Sequence, residues 1–168
     1  LKLPSGRNLS KNELVEFKSS VRWDYKTNQI NKYLAKSILK TIAGFSNTRG
    51  GTLFIGVDDD QNIVGINADK KAFNVEDADK YELKIQNIFI SEFGVEKTSE
   101  IISSIKFVKR HDKEICVIRV LRSPSGTYVR DTDKSGTKVE KFYIRSSNQT
   151  IPLKPSEENN YRKRMGLR

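Results

Sequence analysis

Apolar side chains recur with a helical period in two stretches of this chain. The first stretch runs from Asn31 to Ser46, and the second runs from Glu76 to Phe93. Each places its apolar residues three or four positions apart, as one buried helix face requires. Gly94 follows the second stretch, where a helix often ends in a glycine. The pattern therefore predicts two main amphipathic helices.

Short runs of β-branched and aromatic residues predict the extended segments. The predicted strands are 14–18, 52–57, 63–66, 103–110, 114–121, 127–130 and 138–145. The turn formers of 58–62 predict a hairpin between the second and third of these strands, and His111-Asp112 predicts another between the fourth and fifth. We therefore expect an α+β fold, with a mostly antiparallel sheet built from hairpins and covered by two main helices.

The change in composition near residue 154 predicts the organisation of the chain. Residues 1–153 hold all the periodic segments and are predicted to form one domain, and residues 154–168 are predicted to be a polar, basic C-terminal tail. A short helix is expected from Ser156 to Tyr161. The sequence begins at Leu1 rather than at Met. We therefore expect that it can be part of a longer chain with further domains.

The charge of the chain points to an anionic partner. Lys and Arg number 31 against 21 Asp and Glu, which gives a net charge of +10 and a pI near 9.7. Nucleic acid is the expected polyanion. No apolar run approaches the roughly 18 residues that span a bilayer, and no signal-peptide pattern opens the chain. We therefore predict an intracellular, cytoplasmic protein without membrane contact, whose single cysteine, Cys116, is a buried strand residue.

Four blocks of sequence resemble a known family. They read V-E-F-K at 15–18, A-G-F-S-N-T-R-G-G at 43–51, T-L-F-I-G-V-D-D-D at 52–60 followed by I-V-G-I at 63–66, and F-Y-I-R-S-S-N-Q-T at 142–150. In this order, and over about residues 13–153, they resemble the Schlafen-type AlbA-like DNA-binding domain. The resemblance implies an α+β fold and nucleic-acid binding. Some members of the family are also described as ATP-binding, so the resemblance implies ATP binding as a further function to test.

The same resemblance implies candidate catalytic residues. In the animal Schlafens, the corresponding region carries two glutamates and an aspartate of a metal-dependent endoribonuclease that acts on structured RNA. By position these fall on Glu16 and on Asp58 or Asp59, while the first glutamate falls on Lys11. The carboxylates of Glu16, Asp58 and Asp59 are therefore the predicted ligands for Mg²⁺ or Mn²⁺, which prefer oxygen. The alternative for Asp58 and Asp59 is that they are turn residues, and the alternative for Glu16 is that it pairs with Lys18 or with a helix lysine.

Basic and polar side chains supply the predicted contacts to phosphate. Lys32, Lys36 and Lys40 recur four apart and predict a basic helix stripe, although such a row is also the ordinary solvated face of a helix. The other predicted phosphate contacts are Lys18, Arg49, Arg145, Asn148, Arg162, Lys163 and Arg164. Trp23 and Tyr25 lie beside basic residues and could stack on a base, or could anchor their loop.

Three functions remain open at this point. The first is a nucleic-acid-binding domain for DNA or RNA, with or without homodimerisation. The second is the metal-dependent endoribonuclease. The third is an ATP-binding or protein-interaction domain. Nucleotide hydrolysis has the weakest support, because the segment Asn47 to Gly51 lacks a P-loop lysine and follows a helix instead of preceding one.

Overall fold

The computed structural model describes residues 11–168, and the first ten residues of the predicted domain lie outside that range. The strands are β1 Val15–Lys18, β2 Trp23–Asp24, β3 Gln29–Ile30, β4 Gly51–Ile55, β5 Ile102–Arg110, β6 Lys113–Val120, β7 Tyr128–Thr132, β8 Lys138–Ser146 and β9 Gln149–Pro152. The helices are α1 Leu34–Ser46, α2 Asn67–Ala72, α3 Ala78–Phe93, α4 Val95–Ile101 and α5 Pro155–Met165. The α+β class is confirmed.

The central sheet has four strands in the order β1-β4-β6-β5. β1 runs parallel to β4, whereas β4 with β6 and β6 with β5 are antiparallel. The β5–β6 hairpin was predicted, and both of its turn residues, His111 and Asp112, adopt positive φ angles of 50° and 60°. A two-residue loop of this conformation matches the twist of the flanking strands.

One face of this sheet carries the main core. Leu53 and Ile55 of β4 and Cys116 and Ile118 of β6 point to this face, which packs against α1 and α3. Cys116 is fully buried there, as predicted. Because successive side chains of a strand alternate between the two faces, the residues between these four lie on the opposite face of the sheet.

A smaller sheet, β7-β8-β9, packs against the other side of α1. α5 lies on β8, where the ring of Tyr161 meets that of Phe142 edge-on at 5.9 Å. The helix continues past the predicted end at Tyr161 as far as Met165. The division of the chain at residue 153 stays a prediction. No helix within residues 11–168 is both long enough and apolar enough to cross a bilayer.

The predicted hairpin partner of β4 is wrong. Of the segment Ile63–Ile66, only Ile63 forms a bridge, with Val57 beyond the end of β4. The physical reason is that both edges of β4 are already paired, with β1 on one side and with β6 on the other. The returning segment therefore has no free edge along which to form a strand.

The predicted loop Ser19–Asn28 is also partly wrong, because Trp23–Asp24 pairs with Gln29–Ile30 as a minimal hairpin. Of the two glycines after α1, Gly50 adopts a backbone angle that other residues avoid, as the sequence predicts. Gly50 has φ of +74°, and a Cβ at this position would lie 2.6 Å from the carbonyl oxygen of Val120. Only glycine combines this backbone angle with so close an approach.

Candidate nucleic-acid interface

Glu16 lies on β1 and is 6% exposed. Its Oε2 accepts a hydrogen bond from Nη1 of Arg145 at 3.0 Å, and its Oε1 lies 3.3 Å from Nζ of Lys11. Both carboxylate oxygens therefore face a cation supplied by the chain itself. The alternative interpretation of Glu16 gave it Lys18 or a helix lysine as partner, whereas the structure pairs it with Arg145 and Lys11.

Asp58 and Asp59 have different environments. Asp58 Oδ1 accepts the backbone N–H groups of Asp60 and Asn62, at 3.0 and 2.8 Å, so this carboxylate closes its own turn. Asp59 is bonded to the ammonium of Lys11, while 90% of its side chain is exposed. The ammonium of Lys11 thus lies between the carboxylates of Glu16 and Asp59.

The pKa shifts follow from this arrangement. The hydrogen bond from Lys11 holds the pKa of Asp59 below its ordinary value. Burial of the Lys11 ammonium acts to lower its own pKa, but the bond to Asp59 and the charge of Glu16 outweigh burial, so the pKa of Lys11 is raised. The ammonium stays charged at neutral pH, and a second cation beside it would be repelled.

These residues do not fit the predicted metal site. Within residues 11–168, no group of three or more acidic, histidine or cysteine side chains is arranged to hold a metal ion. Mg²⁺ and Mn²⁺ need several oxygen ligands, and here one of the expected ligands is replaced by a cation. The structure brings Glu16 and Asp59 to the same ammonium but leaves Asp58 in its turn.

Changing Lys11 to glutamate is expected to create a divalent-ion site, because the change removes the competing ammonium and supplies a third carboxylate beside Glu16 and Asp59. Isothermal titration of Mn²⁺ should give a binding isotherm for Lys11→Glu and none for the parent protein. Lys11→Met, which removes the ammonium without adding a ligand, serves as the control and should bind much more weakly than Lys11→Glu. Equal Mn²⁺ binding by the parent protein would contradict this assignment of Lys11.

The predicted helix stripe is largely neutralised. Lys36 Nζ lies 3.6 Å from Glu92 and donates to the carbonyl oxygen of Arg130 at 2.5 Å. Lys40 Nζ lies 2.9 Å from Asp131. Their side chains are 35% and 31% exposed, so both are less exposed than the pattern suggests. Lys32 is exposed but precedes α1 instead of lying on it.

Arg145 is fully buried, so its guanidinium is not on the protein surface. Besides Glu16, it donates to Thr150 Oγ1 and to two backbone carbonyl oxygens, those of Asn12 and Val15. Asn148 is exposed in the turn after β8. Arg145 therefore joins β8 and β9 to β1, and Asn148 lies apart from this buried cluster.

Lys18 is also held internally. Its Nζ donates to Ser37 Oγ of α1 at 2.8 Å, and burial lowers its pKa. Arg162 of α5 pairs with Glu158 at 2.9 Å and lies 5.0 Å above the ring of Phe142. Both side chains mainly hold secondary structure elements together.

Besides Lys32, three of the predicted basic contacts remain on the surface. Arg49 is 69% exposed and has only a long approach of 3.7 Å to Glu13. Lys163 and Arg164 of α5 are exposed, and the guanidinium of Arg164 lies 5.4 Å from the ring centre of Tyr161. These three side chains stay available to a ligand.

The structure presents a further basic surface that the sequence analysis missed. The surface, here called the β5–β6 basic face, consists of the exposed side chains of Lys106, Arg110, Lys113 and Arg119. The strand register places all four on the side of the sheet opposite α1 and α3, because their neighbours in sequence line the helix-covered side. None of the four is ion-paired with a carboxylate of residues 11–168. Residues 1–10 contain no Asp or Glu.

The signal for this surface was present in the sequence. The predicted turn at His111-Asp112 fixes the register of the hairpin, since two-residue loops place the flanking residues opposite each other. Counting outward from the turn pairs Arg110 with Lys113 and places Lys106 and Arg119 on the same face. The period of four in the helix stripe is visible without a partner strand, whereas the β5–β6 basic face becomes visible only when the two strands are paired.

The glycine segment Asn47–Gly51 begins with a side chain that is used inside the fold. Asn47 is fully buried, and its side-chain amide donates to the carbonyl oxygens of Thr127 and Tyr143, both at 2.8 Å. A shallow groove of about 350 Å³ lies between α3, α4 and β5, but its lining, all within residues 82–105, contains no Lys or Arg. The groove therefore offers no cation to a triphosphate, and in the segment Asn47–Gly51 the exposed cation is Arg49.

Comparison with known proteins agrees with this fold. The family model described as "Schlafen, AlbA_2" matches residues 11–154. A crystal structure of the DIP2311 protein from Corynebacterium diphtheriae superposes with a TM-score of 0.59 at 17% identity, over 91% of this chain and 27% of that protein. This chain thus spans about a quarter of DIP2311. The N-terminal domain of a RecG-related protein from Nitrosomonas europaea, described as an ATP-dependent DNA helicase relative, superposes with a TM-score of 0.38 at 18% identity, over 88% of each chain. From the match over residues 11–154, this chain belongs to the Schlafen AlbA_2 family.

Proposed function

We propose that this chain is a nucleic-acid-binding domain that holds the phosphate backbone with basic side chains and without a divalent ion. The observation that carries the proposal is the β5–β6 basic face, four exposed cations without a carboxylate partner among residues 11–168. Part of the remaining charge is neutralised within the fold, as the pairs Lys36–Glu92 and Lys40–Asp131 illustrate. The net charge of +10 attracts any polyanion. The cluster of unpaired cations on the β5–β6 basic face gives the polyanion a surface on which to bind.

Neutralising phosphates with lysine and arginine releases condensed counterions, so the affinity should fall as salt rises. If the four cations of the β5–β6 basic face each meet one phosphate, a log-log plot of affinity against salt should have a slope of about −3 for a single strand and about −4 for a duplex. Fluorescence anisotropy with labelled RNA and DNA, single-stranded and duplex, measures this slope. Binding should persist in the presence of a chelator, because no divalent ion is required.

Failure to retain any polynucleotide at about 50 mM salt would overturn the proposal, because electrostatic binding is strong at low ionic strength. The protein-interaction alternative would then stand. A loss of binding in the presence of chelator would instead point to a bound metal ion as part of the interface. Incubation of the same labelled RNA with Mn²⁺ also tests the endoribonuclease alternative, which the position of Lys11 disfavours.

A further inference from the structure

The side of the central sheet opposite α1 and α3 combines apolar and basic side chains in register. One row across the sheet reads Phe17, Phe54, Val117 and Lys106, on β1, β4, β6 and β5 in turn. Phe17 is buried, while Phe54 and Val117 are half-buried and Lys106 is exposed. Phe17 meets Phe54 edge-on at 5.6 Å, and this contact holds the Phe54 ring in place. The row therefore passes from apolar side chains on β1, β4 and β6 to a cation on β5.

The adjacent row places a second cation beside these apolar side chains. Thr52, Arg119 and Ser104 are paired across β4, β6 and β5, so Arg119 lies one row along from Val117. Cross-strand neighbours have Cβ atoms about 5 Å apart, and diagonal neighbours about 7–8 Å, which long side chains span. Lys106 and Arg119 can therefore reach one ligand that also covers Phe54.

At the turn end of the hairpin, Arg110 is paired directly with Lys113. Like charges opposite each other in a sheet are destabilising. Lys113 Nζ reaches the carbonyl oxygen of Ile63 at 3.1 Å, and Arg110 reaches its neighbour's carbonyl oxygen at 2.8 Å, but neither contact neutralises a charge. A bound anion would relieve this repulsion.

We infer that a single-stranded nucleic acid lies across this face, with a base stacked on Phe54 and phosphates held by Lys106 and Arg119. The inference rests on the proposed function and adds the class of nucleic acid and the place where it binds. Aromatic rings beside cations on an exposed sheet face are suited to unpaired bases, because every base has a π-face. A duplex keeps its bases stacked inside and offers no such surface.

The shape of the sheet also disfavours a duplex at this site. The major groove of DNA admits a helix or a two-stranded ribbon. Here the basic face belongs to a sheet of four strands that is backed by α1 and α3, so the sheet is too wide to enter a groove. Contacts to a duplex at this face would be limited to phosphates, and Phe54 would gain nothing from them.

The test compares two double variants with equal changes in net charge. Lys106→Glu with Arg119→Glu reverses two cations of the face, and Lys84→Glu with Lys134→Glu reverses two exposed lysines on α3 and in the β7–β8 loop. Binding of a labelled oligouridylate of about 20 nucleotides should fall about tenfold or more for the face variant and by no more than about twofold for the control. Circular dichroism establishes that both are folded.

Phe54→Leu isolates base stacking, because leucine keeps an apolar side chain at the position but has no aromatic face. The affinity for oligouridylate should fall about fivefold or more, as expected for the loss of one stacked base. The affinity for inorganic polyphosphate, which has the charge but no bases, should not change. Unchanged oligouridylate binding by a folded Phe54→Leu variant would overturn base stacking on this ring.

The outcomes separate this inference from the proposed function. If the parent protein binds no nucleic acid, both fail. If it binds nucleic acid with the expected salt slope, but the face variant and the control lose affinity equally, the proposed function stands and the single-strand site is wrong. A preference for duplex over single strand that survives in the face variant would move the interface elsewhere, with Arg49, Lys163 and Arg164 as the next surface to change.

Discussion

Replacing Arg145 with methionine is expected to lower the free energy of unfolding by about 3–5 kcal/mol, because it leaves a buried carboxylate without its main partner. The guanidinium is fully buried, donates to Glu16 at 3.0 Å, and also satisfies the backbone carbonyl oxygens of Asn12 and Val15. It lies 4.9 Å from the centre of the Phe45 ring. Urea unfolding followed by circular dichroism measures the change.

The matched control is Arg119→Met, which removes an exposed arginine from β6 of the central sheet and should change stability by no more than about 0.5 kcal/mol. The double variant Glu16→Met with Arg145→Met removes both buried charges and should recover part of the loss, since an apolar pair costs less than a single unpaired charge. A loss below about 1 kcal/mol in Arg145→Met alone would show that Lys11 suffices to compensate Glu16.

Replacing Asp69 with alanine is expected to lower the free energy of unfolding by about 3–5 kcal/mol, because a buried acceptor is removed from four donors. Asp69 is 1% exposed. Its carboxylate accepts the backbone N–H groups of Val21, Arg22 and Trp23, at 2.7, 2.9 and 2.8 Å, and the hydroxyl of Tyr81 at 2.9 Å. Without it, these donors are left unpaired.

Trp23 is the only tryptophan, so its fluorescence reports directly on this loop. In Asp69→Ala the emission of the folded protein should shift as the loop loosens, and the urea midpoint should fall. Asp69→Asn keeps the shape and one acceptor oxygen, so it should lose less stability than Asp69→Ala. Unchanged emission and midpoint in Asp69→Ala would contradict the role of this carboxylate.

The sequence alone determined the elements whose signals are local. α3 follows its apolar period, begins after Asp77, whose side chain caps the N–H of Lys80 at 2.8 Å, and ends at Gly94. The β5–β6 hairpin follows from two alternating runs around a two-residue turn. These features depend on residues a few positions apart, and propensity and periodicity act over that range.

Pairings between distant segments were decided by the tertiary structure. The parallel pairing of β1 with β4 occupies the edge of β4 that the predicted strand Ile63–Ile66 needed. No local sequence pattern predicts a parallel neighbour. Asp69 looks like an ordinary helix residue until the fold brings the loop 21–23 onto it. Contacts of this kind join residues more than 40 positions apart.

The same reason explains the candidate site. The sequence determined how many cations the chain carries and, through the family resemblance, which carboxylates to examine. Only the fold decided which cations are neutralised, because Lys36 meets Glu92, Lys40 meets Asp131 and Lys11 meets Asp59 across long stretches of chain. Charge is a property of composition, but free charge at a surface depends on which side chains the packed chain brings within a few ångströms of each other.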